Sequence, residues 1–109
     1  MLRSIKDMLN YSILATDGEI GTVSDVLVGD SDLKLRYLVV DTGTWLPGRK
    51  VLLSTAWLSS VEPGRETVVV NIEKKRIQEA PPYDPDEAPD RAYEERLHDY
   101  YGYPYYWNP

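Results

Sequence analysis

The tripeptide Asp41-Thr42-Gly43, placed directly after the apolar run at residues 37–40, is the first point where hydrolytic chemistry could sit. Two such loops meeting in a dimer let a pair of aspartates share one proton, which splits their pKa values into an acid and a base. In a single copy the same three residues make a strand-end turn, with Asp41 bonding backbone N–H groups and Gly43 taking a positive φ. The turn is the expectation here. Asp25, Asp30, Asp32 and Asp41 offer hard oxygen ligands, but a calcium loop needs acids or amides at alternating positions, a central glycine and a distal glutamate. Asp30-Ser31-Asp32 instead runs into Leu33-Lys34-Leu35, the pattern of a hairpin turn. Ser54-Thr55 has neither a nearby histidine nor a glycine elbow, so no base activates a hydroxyl there. His98 is the single histidine. Its expected place is the charged flank of a tail helix near Glu94 and Glu95, where a carboxylate favours the protonated ring, as a surface or docking contact rather than a catalyst. With no cysteine there is no disulfide, thiolate zinc site or cysteine nucleophile. The residue types thus lead to a non-enzymatic chain with no catalytic, cofactor-binding or metal-binding residues.

The elements that position these residues fall into two parts. The chain has 109 residues and a net charge of −6, a size that supports one compact core and excludes a cofactor domain beside a substrate domain. Residues 1–78 hold ten acids and ten bases, whereas residues 79–109 hold eight acids against Arg91 and Arg96, so the whole charge excess lies in the tail. The tail also holds seven of nine tyrosines and six of eight prolines, which sets the boundary near Ala80-Pro81-Pro82. The reading is a domain over residues 1–79 and an acidic, Pro/Tyr-rich tail over 80–109. Lys74-Lys75-Arg76 is a short basic run followed by acids, a solvated face rather than a phosphate site, and nucleic acid is not favoured as a partner. No apolar run approaches the ~20 residues of a membrane span, and residues 1–10 lack the order of a secretory signal, so a soluble, cytoplasmic protein is expected.

From residue 12 to 72 short β-branched and apolar runs alternate with turn signals. Five or six strands are expected at residues 12–15, 20–28, 35–41, 50–53, 58–61 and 67–72. Asp17-Gly18 suits a tight hairpin, Asp30-Ser31-Asp32 bonds its own backbone, and Pro47-Gly48 and Pro63-Gly64 supply fixed and positive φ. Strands this short do not leave both sheet edges bare, which points to a small closed antiparallel β-barrel. In 67–72, Val68, Val70 and Ile72 point inward and Val69 outward, while the consecutive Leu38, Val39 and Val40 cannot share one face. Some outer face must therefore be covered, by the aromatic tail or by a second copy of the chain.

The stretch Asp17-Gly18-Glu19-Ile20-Gly21-Thr22-Val23-Ser24-Asp25-Val26-Leu27-Val28, followed by Leu35-Arg36-Tyr37-Leu38-Val39-Val40-Asp41-Thr42-Gly43 and then Arg49-Lys50-Val51-Leu52-Leu53-Ser54, resembles the PRC-barrel domain. That domain occurs in the cytoplasmic part of the photosynthetic reaction centre H subunit and in the C-terminal half of the ribosome maturation factor RimM. The resemblance covers roughly residues 2–80, through the strand leading to Ala56-Trp57-Leu58, and the tail is similar to that of stand-alone bacterial members. It implies a binding and assembly module without a catalytic motif, with a ribosome-associated or a peripheral electron-transport role as alternatives. Asp41-Thr42-Gly43 also resembles the active-site loop of retroviral-type aspartic proteases. Their later apolar-apolar-Gly segment is missing: Leu27-Val28-Gly29 precedes the aspartate, and Gly48, Gly64 and Gly102 lack the apolar pair.

A tail helix is expected over residues 89–101, with Pro89 at its first position, Asp90 at the positive N-terminal end and Gly102 at its stop. Tyr93, Leu97, Tyr100 and Tyr101 form one apolar stripe, and Glu94, Glu95 and Asp99 take the opposite side. So short a helix does not persist alone in water, so the stripe and the closing segment Tyr103, Tyr105, Tyr106 and Trp107 must dock, on this barrel, on a dimer mate or on another protein. Val69 joins these residues as the outward barrel position of a candidate interaction surface, and a homodimer with a further, unidentified protein partner is the expected assembly.

Overall fold

The computed structural model describes residues 2–5, 9–29, 32–43, 50–84 and 89–107. Seven strands are present: β1 (Leu2–Ile5), β2 (Ser12–Ala15), β3 (Gly18–Gly29), β4 (Leu35–Asp41), β5 (Lys50–Ser54), β6 (Leu58–Glu62) and β7 (Thr67–Val70). They are followed by two helices, α1 (Lys74–Gln78) and α2 (Arg91–Tyr101). The expected strands are all found, although 67–72 stops at Val70 and β1 is additional. Neither β1 nor α1 announces itself by periodicity, because four and five residues are too few to establish a period.

Strand order is β5-β4-β3-β2-β7-β6, with β1 paired to β3. Two features correct the expectation of a closed antiparallel barrel. The β2–β7 pair is parallel, Ser12 opposite Thr67 and Leu14 opposite Val69. The two end strands, β5 and β6, are not paired with each other among the described residues, so the sheet is an open, barrel-like ladder. Its ends are nevertheless consecutive in the chain, joined by the 3-10 turn Thr55–Trp57. The 12-residue β3 forms the spine of the ladder, pairing with β1, β2 and β4, and register shifts at Val23/Asp25 and Leu27/Val28 bend it.

At Gly21, φ is +149° and a Cβ would lie 2.1 Å from the backbone oxygen of Asp41. Only a residue without a side chain lets β3 and β4 approach this closely. The hairpin at Asp17-Gly18 forms as expected, with Ala15 opposite Gly18, and the Asp17 carboxylate also accepts a 2.9 Å bond from the Lys74 amide at the start of α1. In the turn before β7 the positive φ belongs to Glu66, at +50°, and not to Gly64. The expected turns at Asp30-Ser31 and at Pro47-Gly48 lie outside the described residues.

The core explains the unalternating run in β4. Tyr37, Leu38, Val39 and Val40 are all buried, as are Val51, Leu52 and Leu53 opposite them. Cross-strand partners share a face, so Leu38, Val40, Val51 and Leu53 point to one side and Tyr37, Val39, Leu52 and Ser54 to the other. A strand buried on both faces reads as a continuous apolar run. The second face, which the sequence requires something to cover, is covered by the chain's own tail: the Tyr37 hydroxyl reaches residues of α2, and Leu97 and Tyr101 belong to the same hydrophobic core.

Candidate functional site

The seal between tail and sheet gathers most of the aromatic and titratable side chains of the molecule. It starts with helix ends that the sequence marks clearly. Asp90 is the N-cap of α2, its carboxylate accepting a 2.8 Å bond from the Tyr93 amide, and Gly102 closes the helix at φ +74°. Pro89 lies before the cap rather than at the first helical position, so the helix runs from 91 and not from 89. From the cap onward the buried face consists of Glu94, Leu97, His98 and Tyr101, the i, i+3, i+4, i+7 spacing of one helix side. The apolar stripe expected from Tyr93 to Tyr101 is therefore rotated: Leu97 and Tyr101 are fully inside, and Tyr93 and Tyr100 flank them half-buried.

Glu94 and His98 are the corrections that matter. The sequence places both on the charged flank of the helix, yet Glu94 is 4% exposed and His98 1%. Glu94 Oε1 accepts from the Tyr37 hydroxyl at 2.9 Å and from the Tyr106 hydroxyl at 2.8 Å, while Arg91 stands 3.9 Å from its other oxygen. His98 Nε2 lies 2.9 Å from the Tyr37 oxygen, and Nδ1 lies 3.1 Å from the Pro104 carbonyl. Burial pushes the imidazole down from its ordinary value, against the opposing pull of the Pro104 carbonyl, Glu94 and Asp99. A ring protonated by a neighbouring carboxylate at the surface is thus not what the fold provides.

Around this polar centre the rings pack in edge-on, tilted and stacked contacts. Trp57, from the 3-10 turn between β5 and β6, touches His98, Tyr101 and Tyr103 at centroid distances of 5.2, 4.6 and 5.4 Å. Trp107 packs edge-on to His98 and stacks on Tyr105, whose hydroxyl donates to Asp99 at 2.6 Å. Two arginines close the perimeter, Arg36 at 4.0 Å over the Tyr106 ring and Arg91 at 3.8 Å over Trp107, geometries in which a guanidinium is attracted to the ring face. Near the start of α2 the Tyr93 hydroxyl donates to the Pro81 carbonyl, and at its end Arg76 of α1 donates to the Tyr101 carbonyl. Burial, with the acceptor Glu94, pushes Tyr37 far above its ordinary value and Tyr106 up to about 12. The acceptor Asp99 pushes Tyr105 up to about 12.

Tyr93, Leu97, Tyr100, Tyr101, Tyr103, Tyr105, Tyr106 and Trp107 thus all have contacts with their own chain in or beside this seal. Val69 stands apart, half-buried on β7 between Leu14 and Ser60. Tyr37, Trp57, Arg36, Glu94 and Arg91 are not among the expected contact residues, and His98 is expected only as a surface or docking contact. The signal that marks two of them is the spacing of Glu94 and His98 with Leu97 and Tyr101, which puts a carboxylate and an imidazole in phase with the apolar stripe. Asp41 behaves as the turn reading requires, its carboxylate accepting from the Gly43 amide at 2.9 Å, with Gly43 at φ +61°.

The fold and its seal define a small barrel-like β module with a helical tail docked on its outer face. The family model of the PRC-barrel domain matches residues 2–77, and the chain belongs to that family. No curated protein matches the sequence. The match ends within α1, so α2 and the aromatic segment that seals the sheet lie beyond it. Among the described residues no helix is long and apolar enough to cross a membrane.

Proposed function

We propose that this chain is a non-enzymatic protein-interaction or assembly module of the cytoplasm that self-associates as a homodimer, and that the contact is made by the sheet rather than by the tail. The observation that carries the reading is the division of labour between apolar surfaces. The tail aromatics are occupied by the seal, whereas the outer row of β2 and β7 is left partly open: Leu14 is 37% exposed and neighbours the half-buried Val69. The row continues to Ser60 on β6, a strand that pairs only with β7 among the described residues. An edge strand beside an apolar row is the kind of surface a second sheet extends or covers. The non-enzymatic reading is supported by the use of Asp41 in a turn and of both His98 nitrogens in buried contacts.

Light scattering on the full chain tests the reading. A dimer mass at high concentration is expected, returning to the monomer in Val69→Lys, which places a charge in the row without touching the core. A monomeric mass for the unsubstituted chain overturns the self-association. Cutting the tail away is the wrong control, since it removes Leu97 and Tyr101 from the core. A pull-down with the full chain and Val69→Lys separates the alternatives that the family resemblance implies: ribosomal proteins recovered by both would favour the maturation role, and an electron-transport complex the peripheral one.

A further inference from the structure

Four short polar contacts run through the seal: Glu94 Oε1 to the hydroxyls of Tyr106 and Tyr37, the Tyr37 oxygen to His98 Nε2, and His98 Nδ1 to the Pro104 carbonyl. Each needs one hydrogen on one of its two atoms. The Pro104 carbonyl has none to give, so Nδ1 carries one. Tyr106 supplies its own to Glu94. Two contacts remain, Glu94 to Tyr37 and Tyr37 to His98, and they meet at one phenol oxygen that owns a single hydrogen. With Glu94 ionised and His98 neutral, three hydrogens serve four contacts, and one pair of lone pairs faces another at 2.9 Å.

One more hydrogen, whether on Nε2 or on the carboxyl, completes the chain, and either placement leaves Glu94 and His98 with no net charge between them. We propose that the tail is a proton-linked latch: docked, the chain Glu94, Tyr37, His98 holds one hydrogen more than the undocked residues hold above neutral pH, so the latch loosens as the medium turns alkaline. The hydrogen belongs to the chain as a coupled unit. Burial resists a charge on the ring alone, and a carboxylate at 4% exposure likewise calls for a partner; the added hydrogen supplies one.

The surrounding groups pull in both directions. From α2, Asp99 attracts a proton and Arg91 opposes it, with Arg91 too far, at 3.9 Å, to hydrogen-bond Glu94. From β4, Arg36 is drawn away by Asp32 at 2.7 Å and lies over Tyr106. Tyr105 and Tyr106, held up to about 12, keep their hydrogens throughout, as does Tyr37, and Trp57 adds no titrating group. A histidine and a glutamate free in water hold no extra hydrogen above about pH 7.5. The latch requires the folded chain, through its unmatched contact, to bind the proton more tightly than the unfolded one, against the burial that pushes the ring alone down. Its stabilisation is complete below the free histidine value and is lost as pH rises through the titration of the docked chain.

Glu94→Gln separates the latch from everything else that titrates. An amide nitrogen at the Oε1 position brings two hydrogens of its own, one for each tyrosine oxygen, and they do not leave with pH. Urea unfolding of the full chain between pH 7 and 9.5 is expected to show the folded-to-unfolded ratio of the unsubstituted protein falling relative to that of Glu94→Gln, by up to tenfold per pH unit while the docked chain keeps the hydrogen that the unfolded chain has lost, and levelling off once the docked chain releases it. Parallel pH profiles overturn the latch. So does a stability of the unsubstituted chain that climbs from pH 5.5 to 7.5 and then stays flat, the behaviour of a buried imidazole titrating alone. Should Glu94→Gln fail to fold, the ring nitrogens of His98 decide on the unsubstituted chain. Nitrogen-15 spectra of the ring together with the Glu94 carboxyl carbon signal are expected to show the extra hydrogen, on Nε2 or on the carboxyl, retained above about pH 7.5 while the tail is docked, and a ring with a single hydrogen beside an ionised Glu94 overturns the proposal.

Discussion

The two layers on either side of β4 are held by different physics. On the inner side Leu38, Val40, Val51 and Leu53 are fully buried members of the hydrophobic core. On the outer side Tyr37 places a hydroxyl among a carboxylate, an imidazole and a second phenol, within a ring of tyrosines and tryptophans. The inner layer tolerates any apolar set of the right volume. The outer layer demands particular partners at particular distances, because each buried polar group left unmatched carries a desolvation cost of about 1–3 kcal/mol. A non-directional core fixes that the module folds, and a directional seal fixes where its tail lies.

The strongest way to break the inner layer is through the backbone. Gly21→Ala drives a Cβ to within 2.1 Å of the Asp41 carbonyl, and backbone cannot step aside as a flexible side chain does. Circular dichroism is expected to show loss of about 4 kcal/mol or more, or no folded protein, with strand and helix signals vanishing together. Leu97→Ala is the outer counterpart. It empties a fully buried position, at an expected cost of about 2–3 kcal/mol, since the half-buried tyrosines beside it can partly collapse into the space. Urea melts followed by tryptophan fluorescence give both numbers. If Leu97→Ala cost as much as Gly21→Ala, the two layers would be one and the contrast between them would fail.

Tyr37→Phe sharpens the comparison, because it leaves the inner layer and the shape of the ring untouched. It removes one oxygen that serves both Glu94 and His98, with an expected loss of about 1–3 kcal/mol and a fall in the order of residues 103–107 seen by amide NMR. A neutral outcome would mean that shape alone holds the tail.

The sequence reveals these two layers unequally. The inner one is written plainly in Leu38-Val39-Val40 and in the alternation of Val68 and Val70, since apolar periodicity is a direct record of burial. So are the ends of α2, where Asp90 and Gly102 have local jobs that need no knowledge of the rest of the fold. The outer layer is legible only as a requirement that something must cover β4. Glu94 and His98 look solvated because charge-bearing residues normally are, and their burial depends on Tyr37, 57 and 61 residues away along the chain. The parallel β2–β7 pair was hidden for the same reason: strand direction is a long-range property, and hydrophobic pattern reads the same in both senses.

Asp90→Ala probes the tail's local, sequence-legible part, with an expected cost of about 1 kcal/mol from the lost cap at the Tyr93 amide. It should fray the first turn of α2 while leaving the contacts of His98, two turns further on, in place. Loss of the His98 ring contacts in this variant would show that the helix start, and not the polar centre, anchors the seal.

The smallest effect concerns the arginine that joins the layers. Asp32 is held below its ordinary value by the Lys34 amide and then by Arg36, whose guanidinium also lies over Tyr106. A carboxyl depressed in the folded state adds stability above its unfolded value and gives it up as pH falls through the folded one, so this contribution disappears only in the acid range. Asp32→Asn is expected to flatten that acid limb and to leave stability at neutral pH nearly unchanged, since an exposed pair is screened. Any alteration of the Tyr106 ring signals in the same variant would place Asp32 within the seal. Their constancy would locate the boundary between the two layers at Arg36, whose hold on the tail then rests on the ring face and not on the salt bridge.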